Sequence, residues 1–287
     1  KASVHDTLNF VAYHVDLGAH RIYVYLDEPD KTLFAALKAH PKVRVTTCDD
    51  RYWEKRPRRP KKHQVRQSIN ATHAYQRAEV DWLAHIDIDE FILTEQPLLP
   101  QLKAVPKAHD WARILPVEAL STAQAAPCHF KIAPQFANQP RSVLEALYPE
   151  YGLLLRSGYL SHTEGKPFVR TGLRRARLGI HKLLGDTISK PYVLEHTKLA
   201  HFHSPTWEAF YSELPRRLAG TSYIAAREHQ TPMRDLIKFI QSSEGTRGLK
   251  AFYMALRSTE TEHLNALRGY NMLMTADLQL ADKARTL

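Results

Sequence analysis

From Asp6 to Ile88 the chain alternates amphipathic helix with short strand, and this alternation restricts its fold more than any other feature. Leu8, Val11, Ala12 and Val15 fall on one face of a helix that Asp6 can cap and Gly18 can close. Arg21 to Leu26 then reads as a strand, Asp27-Glu28-Pro29-Asp30 as a turn, and Asp30 as the cap of a second helix carrying Leu33, Phe34 and Leu37. Pro41 precedes another strand, Val43 to Cys48. Strand, helix, strand implies a parallel pair. After a basic loop, Ser68 to Ala78 reads as a helix leading into the strand Trp82 to Ile88, so the pattern continues. The expectation is an α/β sheet of Rossmann type. Such sheets bind ligands beyond the carboxyl ends of their strands, where Asp27, Asp49, Asp50, Asp87 and Asp89 all fall.

The run Trp82-Leu83-Ala84-His85-Ile86-Asp87-Ile88-Asp89-Glu90-Phe91 closes a hydrophobic stretch with two carboxylates one residue apart and a third directly after them. In a strand, Asp87 and Asp89 would project from the same face. Converging carboxylates repel unless a cation sits between them, and a divalent cation with oxygen ligands does this best. The alternative is an acidic strand end facing water. The shared position at strand ends favours the metal.

Past Leu93 the alternation weakens. Trp111 to Val117, Cys128 to Phe136 and Lys166 to Leu173 read as strands, and Trp207 to Leu218, Pro232 to Ile240 and Glu260 to Leu280 as helices. This divides the chain into an α/β domain, 1–205, and a helical extension, 206–287. No apolar run approaches a membrane-spanning length and no signal peptide is evident, so a soluble protein is expected. The chain starts at Lys1 rather than Met, which suggests that an upstream segment has been removed. Cys48 and Cys128 are the only cysteines, which disfavours a disulfide scaffold or structural zinc and fits a reducing cytoplasm. The Asn70-Ala71-Thr72 sequon reads as chance. A formal net charge of +10 favours partners bearing phosphate or carboxylate. Much of the excess lies in Lys55-Arg56-Pro57-Arg58-Arg59-Pro60-Lys61-Lys62, an exposed loop that could steer an anionic substrate, rest on acidic lipid headgroups, or simply be solvated.

The run from Asn9 to His14, the run from Leu17 to Tyr23, then His63, Arg66 and Asn70, and the motif Trp82 to Phe91, together resemble bacterial glycosyltransferase family 2-like proteins. The resemblance covers roughly the first hundred residues. It implies a type A glycosyltransferase fold, a Rossmann-like mixed sheet flanked by helices, with the first strand of the family missing or cut short here. It further implies Mn²⁺ or Mg²⁺ held by Asp89, with Asp87 on the nucleotide side, and a nucleotide sugar, UDP-sugar by default, as donor. Glu90 would hold the turn or complete the ligand set. Asp27 would face the uracil or cap the turn, and Arg66 and Asn70 would lie on the nucleotide side, with His63 starting a surface helix. Gly165-Lys166 and Arg170 would offer cations near the acceptor cleft. Mn²⁺ also accepts imidazole, and such enzymes often supply a late histidine. Lys198 to Ser204 puts His201 and His203 on one face of an expected strand, with His203 slightly preferred; both could instead be core partners.

Sugar transfer builds negative charge on a leaving diphosphate, which a carboxylate-bound cation neutralises. Transfer with inversion also needs a carboxylate base with a pKa raised by burial, and Glu118 and Glu164 are the candidates. The resemblance further implies a glycan or a lipid-linked glycan of surface polysaccharide type as acceptor, and the expected location is the cytoplasm, with a peripheral membrane contact. One rival is a haloacid dehalogenase-type phosphatase, which also uses Asp-x-Asp, although Glu90-Phe91 replaces its usual Gly-Thr. The other is a non-enzymatic basic anion-binding module; no nucleic acid is expected, since no recognition motif accompanies the charge.

Overall fold

The computed structural model describes residues 2–121, 127–220, 223 and 232–285. Their contacts form two units, each assembled from separate stretches of chain. The first comprises Lys1–Leu115, Glu164–Leu199 and Gln279–Leu287, and the second Pro116–Thr163 and Ala200–Leu278.

The first unit opens with the helix Val4–Asp16. Ser3, not Asp6, caps it: the Ser3 hydroxyl accepts the Asp6 N–H while the Asp6 carboxylate accepts the Ser3 N–H, a reciprocal capping box. Gly18, at φ 101°, then turns the chain through a conformation that side-chain-bearing residues avoid. The strands Ile22–Leu26 and Val43–Thr47 pair in parallel, from Ile22 opposite Val43 to Leu26 opposite Thr47. Between them runs the helix Lys31–Ala39, whose Leu33 N–H is accepted by the Asp30 carboxylate at 2.9 Å. These elements follow the sequence reading.

The next strand departs from it. Trp82–Ala84 is only three residues long and pairs antiparallel with Lys166–Arg170, Trp82 lying opposite Arg170. Lys166–Arg170 in turn pairs antiparallel with the start of Trp111–Ala119, from Trp111 opposite Val169 to Ile114 opposite Lys166. The strands Tyr192–His201 and Glu90–Thr94 extend the same sheet. Local pattern cannot reveal a partner eighty residues away, so this crossing to a late strand was not legible. The sheet is nonetheless mixed and flanked by helices, as the α/β expectation required. Val4–Asp16 is tied to Glu90–Thr94 by the Tyr13 hydroxyl, which donates to the Ile92 carbonyl at 2.9 Å, and by the His14 ring stacked on Phe91. Burial holds His14 neutral, with a pKa lowered to about 4, and its Nδ1–H donates to the Phe10 carbonyl.

In the second unit, Cys128–Lys131 pairs antiparallel with Leu273–Ala276 and with the end of Trp111–Ala119. The helices Trp207–Ala219, Met233–Arg257 and Thr261–Gly269 bury Phe210, Ile237, Leu249, Phe252 and Leu267 in a common apolar core with Leu144. Each such side chain contributes about 1.5–3 kcal/mol by leaving water. The helix expected from Glu260 to Leu280 stops at Gly269, Asn271 turns at φ 55°, and Leu273–Ala276 becomes a strand because Cys128–Lys131 offers it a ladder. The helix expected from Pro232 to Ile240 instead runs from Met233 to Arg257, with a kink at Gly245. Among the described residues, no helix is long and apolar enough to cross a membrane.

Candidate active site

Asp87 and Asp89 do not share a strand face, because the strand ends at Ala84. They belong to a four-residue turn in which the Glu90 N–H donates to the Asp87 carbonyl at 3.1 Å. Ile88 and Asp89 take its central positions. The Glu90 side chain closes the loop a second time, Oε2 accepting the Asp87 N–H at 2.7 Å. The three acidic residues thus lie on a turn rather than along a strand.

Lys166 fixes this turn from the neighbouring strand. Its ammonium is 2.5 Å from Asp87 Oδ2 and 3.0 Å from Glu90 Oε2, with the side chains of Lys166 and Glu90 fully buried. Burial alone would lower the lysine pKa, but the Glu90 and Asp87 carboxylates outweigh it and raise it to about 12. Gly165, at φ 69°, lets the chain enter this strand against the Ile114 carbonyl, which an added Cβ would meet at 2.2 Å. Asp87 Oδ1 accepts from Gln67 Nε2 at 2.8 Å. Two histidines flank the lysine. His85 Nδ1 donates to the Gly179 carbonyl and His181 Nδ1 to the Gly165 carbonyl, both at 2.9 Å. Burial, and then the Lys166 charge, lowers both pKa values, so each ring is neutral near pH 7.

The helix His63–Tyr75 carries the rest of this side. Arg66 and Asn70 lie four residues apart on one face. Arg66 grips Asp27 with a planar fork, Nε to Oδ1 at 2.8 Å and Nη2 to Oδ2 at 2.7 Å. Burial pulls the Asp27 carboxyl upward, but Arg66 and then Arg59 outweigh it and hold it below the usual range. Asn70 is buried, accepting the Tyr52 hydroxyl at 2.7 Å and donating to Cys48 Sγ. His63 is exposed at the helix start.

Arg170 is occupied structurally: it donates to the carbonyls of His109 and Val105 and stacks over Trp82 at 4.3 Å. Glu164 is exposed at the head of its strand. Glu118, in the second unit, is fully buried between Lys131 and Arg257, each at 3.2 Å, and accepts the N–H groups of Leu160 and Ser161. Burial would raise its pKa, yet the two cations hold it at about 2, the opposite of what a general base needs. The site holds one carboxylate against two cations, so burial drives Lys131 down to about 8 despite Glu118. His201 and His203, also in the second unit, stand 5.3 Å apart between ring centres. His203 Nε2 accepts from Arg217 at 2.8 Å, and burial followed by that arginine keeps the ring neutral.

Sequence reasoning placed Asp27 and Arg66 on the nucleotide side and Lys166 near the acceptor cleft; in the structure Arg66 pairs with Asp27, and Lys166 with Asp87 and Glu90. It missed Gln67, His85 and His181. For Gln67 the available signal was its place beside Arg66 on a helix aimed at the strand ends.

A mixed sheet flanked by helices is consistent with a glycosyltransferase fold. Over residues 2–106 the chain is similar to glycosyltransferase family 92, whose sequence model matches that stretch, and the match supports a glycosyltransferase. It spans Asp27, Arg66, Asn70 and the Asp87–Glu90 turn, and does not single out the family 2-like grouping. No curated protein and no solved structure matches the chain.

Proposed function

We propose that the chain is a metal-dependent glycosyltransferase that moves a sugar from a nucleoside-diphosphate donor, a UDP-sugar by resemblance, to a glycan or lipid-linked acceptor. The observation that carries the reading is the charge of the Asp87–Glu90 turn. Asp87, Asp89 and Glu90 bring formal charges of −3 against +1 on Lys166, leaving −2. That balance and an all-oxygen donor set suit a hard divalent cation such as Mn²⁺ or Mg²⁺. Asp89 would hold it directly, with Asp87 alongside. When bound, the cation neutralises charge growing on the leaving diphosphate.

The protein's own groups do the positioning. Gln67 and Lys166 hold the Asp87 carboxylate from two sides, and Lys166 offsets the repulsion among three carboxylates. Neutral His85 and His181 add no positive charge that would compete with the cation. An inverting transfer is part of the proposal and would draw on Glu164, since Glu118 is locked between cations. A peripheral, cytoplasmic placement, with the basic loop near anionic headgroups, accompanies it.

Calorimetric titration of UDP with and without Mn²⁺ tests the reading. The parent chain should show Mn²⁺-dependent binding, and Asp89→Ala should lose it. A hundredfold excess over Kd should stabilise the parent by about 2.7 kcal/mol. Undiminished Mn²⁺-dependent binding in Asp89→Ala would sink the proposal, and Mg²⁺-dependent hydrolysis of a chromogenic phosphate ester would replace it with the phosphatase.

A further inference from the structure

The loop Lys55–Lys62 carries six basic residues and no acid, yet it is not loose at its base. Arg66 Nη1 donates to the carbonyls of Pro60 and Lys61, both at 2.9 Å, which leaves Nε and Nη2 as a fork facing Asp27. Arg59 approaches the same residue from within the loop, with Nη2 3.0 Å from the Asp27 carbonyl and 3.4 Å from its carboxylate. The three side chains differ in exposure: Arg66 is 16% exposed, Asp27 42% and Arg59 43%. The arginine fork is therefore the fixed member of the pair, stapled to loop carbonyls, and the carboxylate is the solvent-facing member.

A planar guanidinium fork that accepts a carboxylate in bidentate fashion accepts a phosphate in the same geometry. Exchange of one anion for the other leaves Arg66 in place and asks only Asp27 to move. Lys55, Arg58, Lys61 and Lys62 are exposed around it and raise the local potential for any polyanion. Arg66 also adjoins Gln67, which holds Asp87, so neighbouring residues of one helix serve the fork and the carboxylate turn.

We infer that Asp27 is an internal stand-in for a phosphate: it occupies the Arg59–Arg66 fork and is displaced when a diphosphate group binds there. This rests on the nucleoside-diphosphate reading for its biological meaning, but the fork's affinity for phosphate does not depend on sugar, nucleoside or metal. Asp27 so placed acts as a competitor for the site, setting how much anion is needed to open it, and does not read the base of the donor.

The test is titration of inorganic pyrophosphate, in metal-free buffer, into the parent chain and four variants, with thermal melting to confirm folding. Asp27→Asn should bind about two- to fivefold tighter than the parent, the range spanned by releasing a half-exposed ion pair. Glu54→Gln removes the same charge from an exposed site beside the loop and should change affinity little. Arg59→Gln and Arg66→Gln should weaken binding. Unchanged or weaker binding by Asp27→Asn overturns the inference. So does an equal gain from Glu54→Gln, which would mark a bulk charge effect. Should Asp27→Asn lose uridine affinity while pyrophosphate affinity holds, Asp27 reads the base and the inference fails. Because the pyrophosphate titrations contain neither sugar nor metal, loss of the transferase reading would leave their outcomes unaffected.

Discussion

Replacing Lys166 by methionine removes a buried cation that contacts the Asp87–Glu90 turn while keeping the volume that fills the strand. Two estimates bound the effect. Raising the ammonium from its ordinary 10.5 to about 12 corresponds to about 2 kcal/mol of preference for the charged form, at 1.36 kcal/mol for each pH unit. Deleting the cation outright also takes from fully buried Glu90 a counter-ion held at 3.0 Å, and breaking a buried pair in this way costs about 3–5 kcal/mol. Asp87 adds less, since its side chain is 26% exposed and water can reach it. The expected loss is thus about 2–5 kcal/mol, a fall in melting temperature of at least about 4 °C. The sign in the parent follows from a raised lysine pKa: the contribution is complete below 10.5 and is lost as pH rises through about 12. In Lys166→Met the deficit should be largest at pH 7–9 and narrow in acid, where an unpaired buried carboxylate takes up a proton. Added Mn²⁺ should restore more stability to the variant than to the parent, because the turn would then carry −3 rather than −2. Differential scanning calorimetry across pH, with and without Mn²⁺, reads all three. A variant that melts within about 1 °C of the parent at pH 8 would refute the counter-ion argument, and equal Mn²⁺ shifts in both proteins would refute the placement of the cation at this turn.

Other consequences are simpler to read. Glu118→Gln should destabilise the second unit by about 3–5 kcal/mol by leaving Lys131 and Arg257 buried without a carboxylate. Since the Glu118 pKa is depressed to about 2, its contribution is present above 4.5 and lost as pH falls through about 2, so parent and variant should converge in strong acid; a variant folded as stably as the parent at pH 7 but inactive would instead restore Glu118 as a base. Gly165→Ala should cost at least about 3 kcal/mol, combining a left-handed backbone with a 2.2 Å approach to the Ile114 carbonyl, and urea unfolding with an unchanged midpoint would contradict that geometry.

How much of this was legible follows from the range of each interaction. The strand, helix, strand opening was readable because caps and apolar spacing act within a few residues: Asp30 caps the second helix, and Leu33 and Leu37 line its buried face. The choice of Ser3 over Asp6 as the first cap was also local. It was missed because both belong to one reciprocal box and either reading fits the spacing. Leu273–Ala276 was read as helix because its strand state comes from Cys128–Lys131, more than a hundred residues earlier. At the site, the acidic motif was read as the end of a strand, but that strand stops at Ala84. A turn closed by Glu90 holds the three acidic residues, and the sequence offered no measure of where the strand would end.

Composition and periodicity by themselves determined an α/β chain with an acidic cluster at a strand end and a basic loop before a helix, since these depend on residue type and on contacts within a turn or two. The partners of the charges were decided only by tertiary structure. Lys166 became the counter-ion of Asp87 and Glu90, Asp27 took the Arg66 fork, and Glu118 was buried between two cations. The physical reason is that an ion pair is a matter of a few ångströms in space, and strand pairing between residues eighty positions apart sets those distances.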